Sequence, residues 1–440
     1  DGNQLTVIGS DYKDAYPVPM SSKISADVYY PYYNFNRTKV YVLDITNRAK
    51  PVIKRSVEFD GSYTTSRKVG GTLYMVMNYN YSPVIYYNYM ESAGGASPAA
   101  YSATSAVDAE SVVPKMLDTK KGKEELVAPC SQIRILPKEH NSNYLIAAAV
   151  PLNDLNKDVT RSVIAGSSGT VYASQNNLYV AGNDWGGGFY RPYSDYGTSF
   201  YRFALGNGTI EYKAKGKVPG QLLNQFSMDE SNGYFRAVTT KNAYVPGSQI
   251  NNNVYVLDMD MNVVGKIENI APGEKLYSAR FMGNKAYLVT FLRVDPFFVL
   301  DLSSPTNPKI AGELKIPGFS DYLEPYDDNH IIGFGSDVDE SKVTEGGDFL
   351  TYDAKKGFKI SLFDVTDINN PKEMFKEIIG DRGTTSEVTT NHKALLFDRA
   401  KNLLALPITV YGYPAATSCS KYSYSTCPTS CDKVCTPSVC

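Results

Sequence analysis

One motif recurs along the chain and constrains it more than any other feature. A β-rich run closes on Asp, a Ser or Thr stands two positions later, and Pro stands seven positions beyond the Asp. It occurs at Val40 to Asp44 with Thr46 and Pro51, at Phe298 to Asp301 with Ser303 and Pro308, and at Ser361 to Asp364 with Thr366 and Pro371. Val254-Tyr-Val-Leu-Asp258 is a degenerate copy. The physics is that of a hairpin: a strand ends, the carboxylate caps the following turn, and Pro opens the next strand where no ladder donor is needed.

Each copy runs into a second strand that stops at glycine, at Gly61, Gly166, Gly220, Gly273, Gly318 and Gly380. A further two-strand pattern follows, as in Tyr277 to Phe291, where Gly283-Asn284 turns one alternating strand into the next. Four strands in about 45 to 60 residues is the period of a propeller blade. The units are 1–60, 61–166 with a long insertion, 167–220, 221–273, 274–318, 319–380 and 381–414. The expected fold is therefore all-β, a seven- or eight-bladed β-propeller over 1–414 with a cysteine-rich C-terminal extension, 415–440. The 440 residues, long enough for two or three domains, become one modular domain. Both end units are incomplete, either as a closure device or because the chain is a fragment.

Composition excludes several chemistries. The chain has 44 Lys+Arg against 46 Asp+Glu, so no net charge draws it to nucleic acid or anionic lipid. Its 35 Tyr, 34 Gly and 24 Pro favour strands and turns. Its 3 His, at positions 140, 330 and 392, fit no zincin spacing. No Gly-x-Ser-x-Gly elbow occurs, and Gly186-Gly-Gly188 lacks the Gly-Lys-Ser/Thr of a phosphate loop. No apolar run of 18 residues reads as a transmembrane helix, and the first residues lack a signal-peptide pattern, so an exported protein would be present here in mature or trimmed form.

Cys130, Cys419, Cys427, Cys431, Cys435 and Cys440 are even in number, with five crowded into a tail that cannot build its own core. Disulfides are the expected source of order there, and an oxidising, extracytoplasmic location follows: secreted or at the cell surface. Cys130 pairs with a tail cysteine, or one is left for an intermolecular bond. Sequons at Asn36, Asn80 and Asn207 fit a glycoprotein.

Gln221 to Glu230, Tyr277 to Gly283, Gly312 to Gly318, Ile379 to Gly383 and Asn391-His-Lys-Ala394 resemble the family of secreted prokaryotic proteins with a C-terminal β-propeller domain distantly related to WD40 repeats. The resemblance covers most of residues 1–410 and is most specific between 215 and 408. It implies a propeller outside the cytoplasm of an archaeon or bacterium, with no assigned catalytic residues. The cysteine-rich tail and the insertion depart from the family pattern.

Aligning the strands after the glycines places Arg67, Gln225, Arg280, Glu324 and Glu387 in register, with Thr170 as the equivalent in the third unit. Inner strands line a propeller channel, so these residues form a ring that either binds a small anion or metal or pairs between blades. Asp337, Asp339 and Asp348 lie in an acidic loop able to take calcium, against the alternative of a solvated loop; no other cofactor is expected. The insertion 79–127 divides into a tyrosine flap, carrying Tyr87 and Tyr89, and a small, polar stretch ending in Lys120-Lys-Gly-Lys-Glu-Glu125, expected to be mobile or helical. With Tyr29 to Tyr33, Trp185 and Tyr190 these aromatics suit a contact surface for protein or carbohydrate. The expected function is an extracellular, non-enzymatic scaffold or binding module, self-assembling through its tail and aromatic loops. The rival is a propeller hydrolase or lyase acting on a sugar or peptide at the channel mouth.

Overall fold

A computed structural model describes residues 2–13, 35–80, 112–135, 143–166, 169–184, 196–242, 249–291, 295–342 and 354–412. Within these, all regular structure is β-strand and short 3-10 turns. Sheet 1 orders β1 (Gln4–Lys13), β2 (Phe35–Asp44) and β3 (Val52–Asp60), then β6 (Lys115–Asp118) and β7 (Lys123–Leu126). Sheet 2 orders β4 (Ser62–Val69), β5 (Thr72–Asn80), β9 (Asn143–Pro151), β10 (Thr160–Ala165) and β8 (Arg134–Ile135). The next four are four-stranded antiparallel meanders in chain order. Sheet 3 is β11 (Val171–Ala173), β12 (Asn177–Asp184), β13 (Gly197–Gly206) and β14 (Thr209–Pro219). Sheet 4 is β15 (Met228–Ser231), β16 (Tyr234–Lys241), β17 (Asn251–Leu257) and β18 (Val263–Ile270). Sheet 5 is β19 (Lys275–Met282), β20 (Lys285–Phe291), β21 (Asp295–Asp301) and β22 (Lys309–Ile316). Sheet 6 is β23 (Phe319–Asp327), β24 (His330–Val338), β25 (Lys355–Asp364) and β26 (Lys372–Ile379). The last unit holds two ribbons, β27 (Thr385–Ser386) with β30 (Ile408–Thr409) and β28 (Leu396–Asp398) with β29 (Leu403–Ala405).

The recurrent motif performs the same local task each time. Asp44, Asp301 and Asp364 each accept the backbone N–H two residues on, at 2.9 Å. Hydrogen bonding from that next Thr or Ser holds all three carboxyls below the ordinary range. Pro51, Pro308 and Pro371 stand immediately before β3, β22 and β26. The two outer strands also slip register just ahead of the Asp, at Val42/Leu43, Val256/Leu257, Val299/Leu300 and Leu362/Phe363. A bulge at this place in each of the four sheets that carry the motif adds the same local twist.

The core lies between sheets. Val40, Val42, Val57 and Phe59 of sheet 1 pack on Leu73, Met75, Met77, Ile146 and Ala148 of sheet 2. The alternate residues Tyr74, Val76, Leu145 and Ala147 pack on Leu178, Val180, Tyr201 and Phe203 of sheet 3. Central strands are thus buried on both faces, which is why β5 and β9 read as continuous apolar runs instead of alternating ones.

The end of the insertion corrects the expectation of a mobile or helical stretch: residues 115–126 form the β6–β7 hairpin that extends sheet 1. The reason is a buried ion pair. Arg55 Nε and Nη2 donate to Asp118 Oδ1 and Oδ2 at 3.1 and 2.6 Å, and Nη1 donates to the carbonyls of Leu155 and Lys157 at 3.0 and 2.9 Å. Both side chains are at most 2% exposed. The guanidinium joins sheet 1, the hairpin and the β9–β10 turn, and Met116 is buried beneath.

Candidate functional site

The crossover glycines sit beside the strands that follow each second-to-third connection. Gly61, Gly166, Gly220 and Gly273 donate to the carbonyls of Asn36, Asn143, Tyr196 and Ile250, at 2.7, 2.8, 3.4 and 2.7 Å. Crossovers and these connections therefore leave from one end of the sheets. Beyond the crossovers, the innermost strands converge on a cavity of about 550 Å³. It is lined by Thr64, Thr65 and Arg67 of β4, by Gly169, Thr170 and Val171, by Leu223 to Phe226 ahead of β15, by Asp321 and Tyr322 of β23, and by Val388 to Lys393 of the last unit.

The floor is a cross-cavity contact. Asn224 caps a 3-10 turn by accepting the Phe226 N–H at 2.9 Å, and Asn391 caps another by accepting that of Lys393 at 3.2 Å. These turns bring Gln225 and Phe226 to His392: the Gln225 amide nitrogen is 3.3 Å from His392 Nδ1, and the Phe226 and His392 rings meet edge-on with centroids 5.0 Å apart. Behind Phe226, Arg280 lies over its ring at 4.8 Å and faces Glu324 at 3.8 Å, and Glu324 also accepts from the Tyr322 hydroxyl. Arg280 and Glu324 thus pair between sheets 5 and 6.

The charges around the cavity are unevenly matched. Arg67 uses Nη1 on Thr65 Oγ1 and the Ser66 carbonyl, at 3.2 and 2.8 Å. Among the described residues no carboxylate lies in ion-pair range of Arg67 or Lys393, and none of the recorded ion pairs uses Asp321. Asp321 is deep in the molecule, touching solvent through the cavity; burial pushes its carboxyl up to about 6, against the opposing pull of Lys355 and Lys275. Burial first, then the cations Lys393 and Arg280, lower the His392 pKa; Glu324 opposes them by less, and Arg67 adds the smallest lowering. A neutral imidazole fits the geometry, since Nδ1 can then accept from the Gln225 amide.

The model of the β-propeller domain matches residues 1–430. The chain belongs to the β-propeller domain family. Its matched part is 43% identical over 198 residues to an uncharacterized protein of Methanocaldococcus jannaschii, covering 45% of this chain and 29% of that one. An uncharacterized protein of Archaeoglobus fulgidus is 43% identical over 216 residues, covering 49% and 30%. The match spans less than a third of the length of either relative. Among solved structures, a eukaryotic initiation factor shares a TM-score of 0.41 at 10% identity, over 78% of this chain and 60% of that one. An acylaminoacyl peptidase of Pyrococcus horikoshii shares 0.33 at 9%, over 71% and 39%. Likeness at that level carries no functional argument.

Of the ring expected in this propeller, Arg67, Gln225 and Thr170 line the cavity, while Arg280 and Glu324 pair behind its floor. Glu387 is exposed and accepts from the Asn391 amide at 2.6 Å. Asp337 is buried with Lys356 3.7 Å from Oδ2, and Asp339 accepts the Ser341 N–H and hydroxyl. Asp348 lies outside the described residues, among which no three potential metal ligands cluster. Asn36, Asn80 and Asn207 are all exposed. Cys130 opens an exposed 3-10 turn; the five tail cysteines, Tyr87, Tyr89, Trp185 and Tyr190 lie outside the described residues. Repeat alignment missed His392 and Lys393, because 3-10 turns replace the regular inner strand of the last unit and leave its histidine without a counterpart in other units, and it missed Asp321 of β23, whose counterparts Thr64 and Tyr277 carry no charge.

Proposed function

We propose that this propeller is a non-enzymatic binding module acting outside the cytoplasm, with the central cavity as a small-anion site. The observation that carries it is the pair of cations, Arg67 and Lys393, facing one cavity without a carboxylate partner among the described residues. Both cations are exposed, and Asp321, its carboxyl raised to about 6 by burial, is the one acidic group among the lining residues, so positive charge prevails in the cavity and attracts ligands of the opposite sign. The end of the sheets that bears the crossovers also holds the anchors of segments 14–34, 81–111 and 185–195, whose tyrosines and Trp185 would form a contact face for a protein partner, another copy or carbohydrate. The cysteine-rich tail and the sequons support an oxidising compartment. The His392 ring signals in NMR test the anion site: acetate and phosphate should move them along a saturating curve, and movement that only follows ionic strength would contradict it.

One observation favours the hydrolase or lyase reading. Asp321 and His392 share the cavity, the carboxyl raised by burial to about 6 and the imidazole held below its ordinary value, and titratable groups perturbed by their surroundings within one cleft are a feature of active sites. That reading requires turnover of a sugar or peptide lost in both Asp321→Asn and His392→Gln. Binding without turnover in the unaltered protein sustains the module.

A further inference from the structure

The cavity is much larger than a bare oxyanion needs, and part of its wall is apolar. Val171, Leu223, Phe226 and Val388 stand in its lining, and Leu223 is 40% exposed. A large apolar side chain held in solvent inside a concave polar site is a place for a ligand's carbon skeleton. Arg67 keeps Nε and Nη2 without partners among the described residues, and a planar guanidinium matches a carboxylate with two parallel hydrogen bonds where Lys393 supplies a point charge.

Resting on the anion-site reading above, we infer that the cavity takes a small organic carboxylate with an apolar body, bound together with a proton. The proton follows from what surrounds the two titratable groups. His392 faces Lys393 beside it, Arg67 from β4, Arg280 from β19 and Glu324 from β23, with uncharged Gln225, Phe226 and Tyr322 completing its contacts. Asp321 faces Lys275 from β19 and Lys355 from β25. An anion seated by Arg67 and Lys393 offsets the cations that disfavour a charged imidazole, and it disfavours a second negative charge at Asp321. Both responses take up a proton. Protonated His392 would turn Nδ1 into a donor, and the Gln225 amide would present its oxygen by rotating.

Calorimetry at pH 6.5 with benzoate, hexanoate, benzamide and inorganic phosphate, each in two buffers of different ionisation enthalpy, tests this. Benzoate or hexanoate should bind at least tenfold more tightly than benzamide and phosphate. The observed heat should shift between buffers in the sense of proton uptake, and Arg67→Gln should weaken binding tenfold or more with an unchanged melting temperature. Benzamide equal to benzoate would overturn carboxylate recognition, and heats independent of buffer would overturn the proton. Phosphate equal to the organic acids would overturn the apolar body while leaving the anion site standing. No binding by any probe would remove both the inference and the reading it rests on.

Discussion

Arg55 and Asp118 show how much one residue pair can hold. With every guanidinium nitrogen engaged and both partners buried, removing one leaves an uncompensated charge. Asp118→Ala should cost about 3–5 kcal/mol in denaturant unfolding, whereas an Arg55→Met, Asp118→Leu double variant should recover most of it. A single variant within about 1 kcal/mol of the parent would show the pair to be dispensable. Asp321 gives the opposite case. Its folded pKa, about 6, lies above the ordinary 3.8, so the native state binds the proton more tightly. Stability from this group is full below the unfolded pKa and is lost as pH rises through the folded one. Asp321→Asn should therefore raise the melting temperature at pH 7.5 and leave it unchanged near pH 3.5. His392 runs the other way: its lowered pKa means its contribution is present above about 6.5 and fades as pH falls toward the folded value. At this scale the Asp44, Asp301 and Asp364 caps were legible, because cap and capped residue are two apart. The Arg55–Asp118 pair was not, since it joins residues 63 positions apart with no spacing pattern.

Among elements, Gly318, which ends a unit, does different work from Gly283, which turns a hairpin. Gly318 has φ +82°, and a Cβ there would stand against the Ser336 carbonyl oxygen and 2.9 Å from Asp337 Cα. Gly283 has φ +54° with open space around it. Gly318→Ala should cost about 2–4 kcal/mol, strain and crowding together, and Gly283→Ala about 1 kcal/mol. Equal costs in thermal unfolding would contradict a packed crossover. Both glycines were marked by the repeat. The β6–β7 hairpin was not, because Lys120 to Glu125 alone reads as a solvated charge run; what orders it is Arg55, outside the segment.

The stack of sheets was the most legible level, since a period of about 45 to 60 residues carrying four strands leaves few architectures. The central cavity was half legible. Arg67, Gln225 and Thr170 came from the repeat, whereas Asp321 is a carboxylate at a register position held by the hydroxyl residues Thr64 and Tyr277 in other units, and His392 sits where the last unit breaks the repeat. That unit also leaves Leu396, Leu403, Val410 and Tyr411 exposed, and β1 pairs only with β2 among the described strands. The proposed anion site lies where the innermost strands meet. Crystals grown or soaked in bromide, with anomalous diffraction recorded at the bromine edge, address it most directly. A bromide peak within contact distance of Arg67 and Lys393 in the central cavity is the predicted result, and bromide bound at surface lysines with none in the cavity would contradict it.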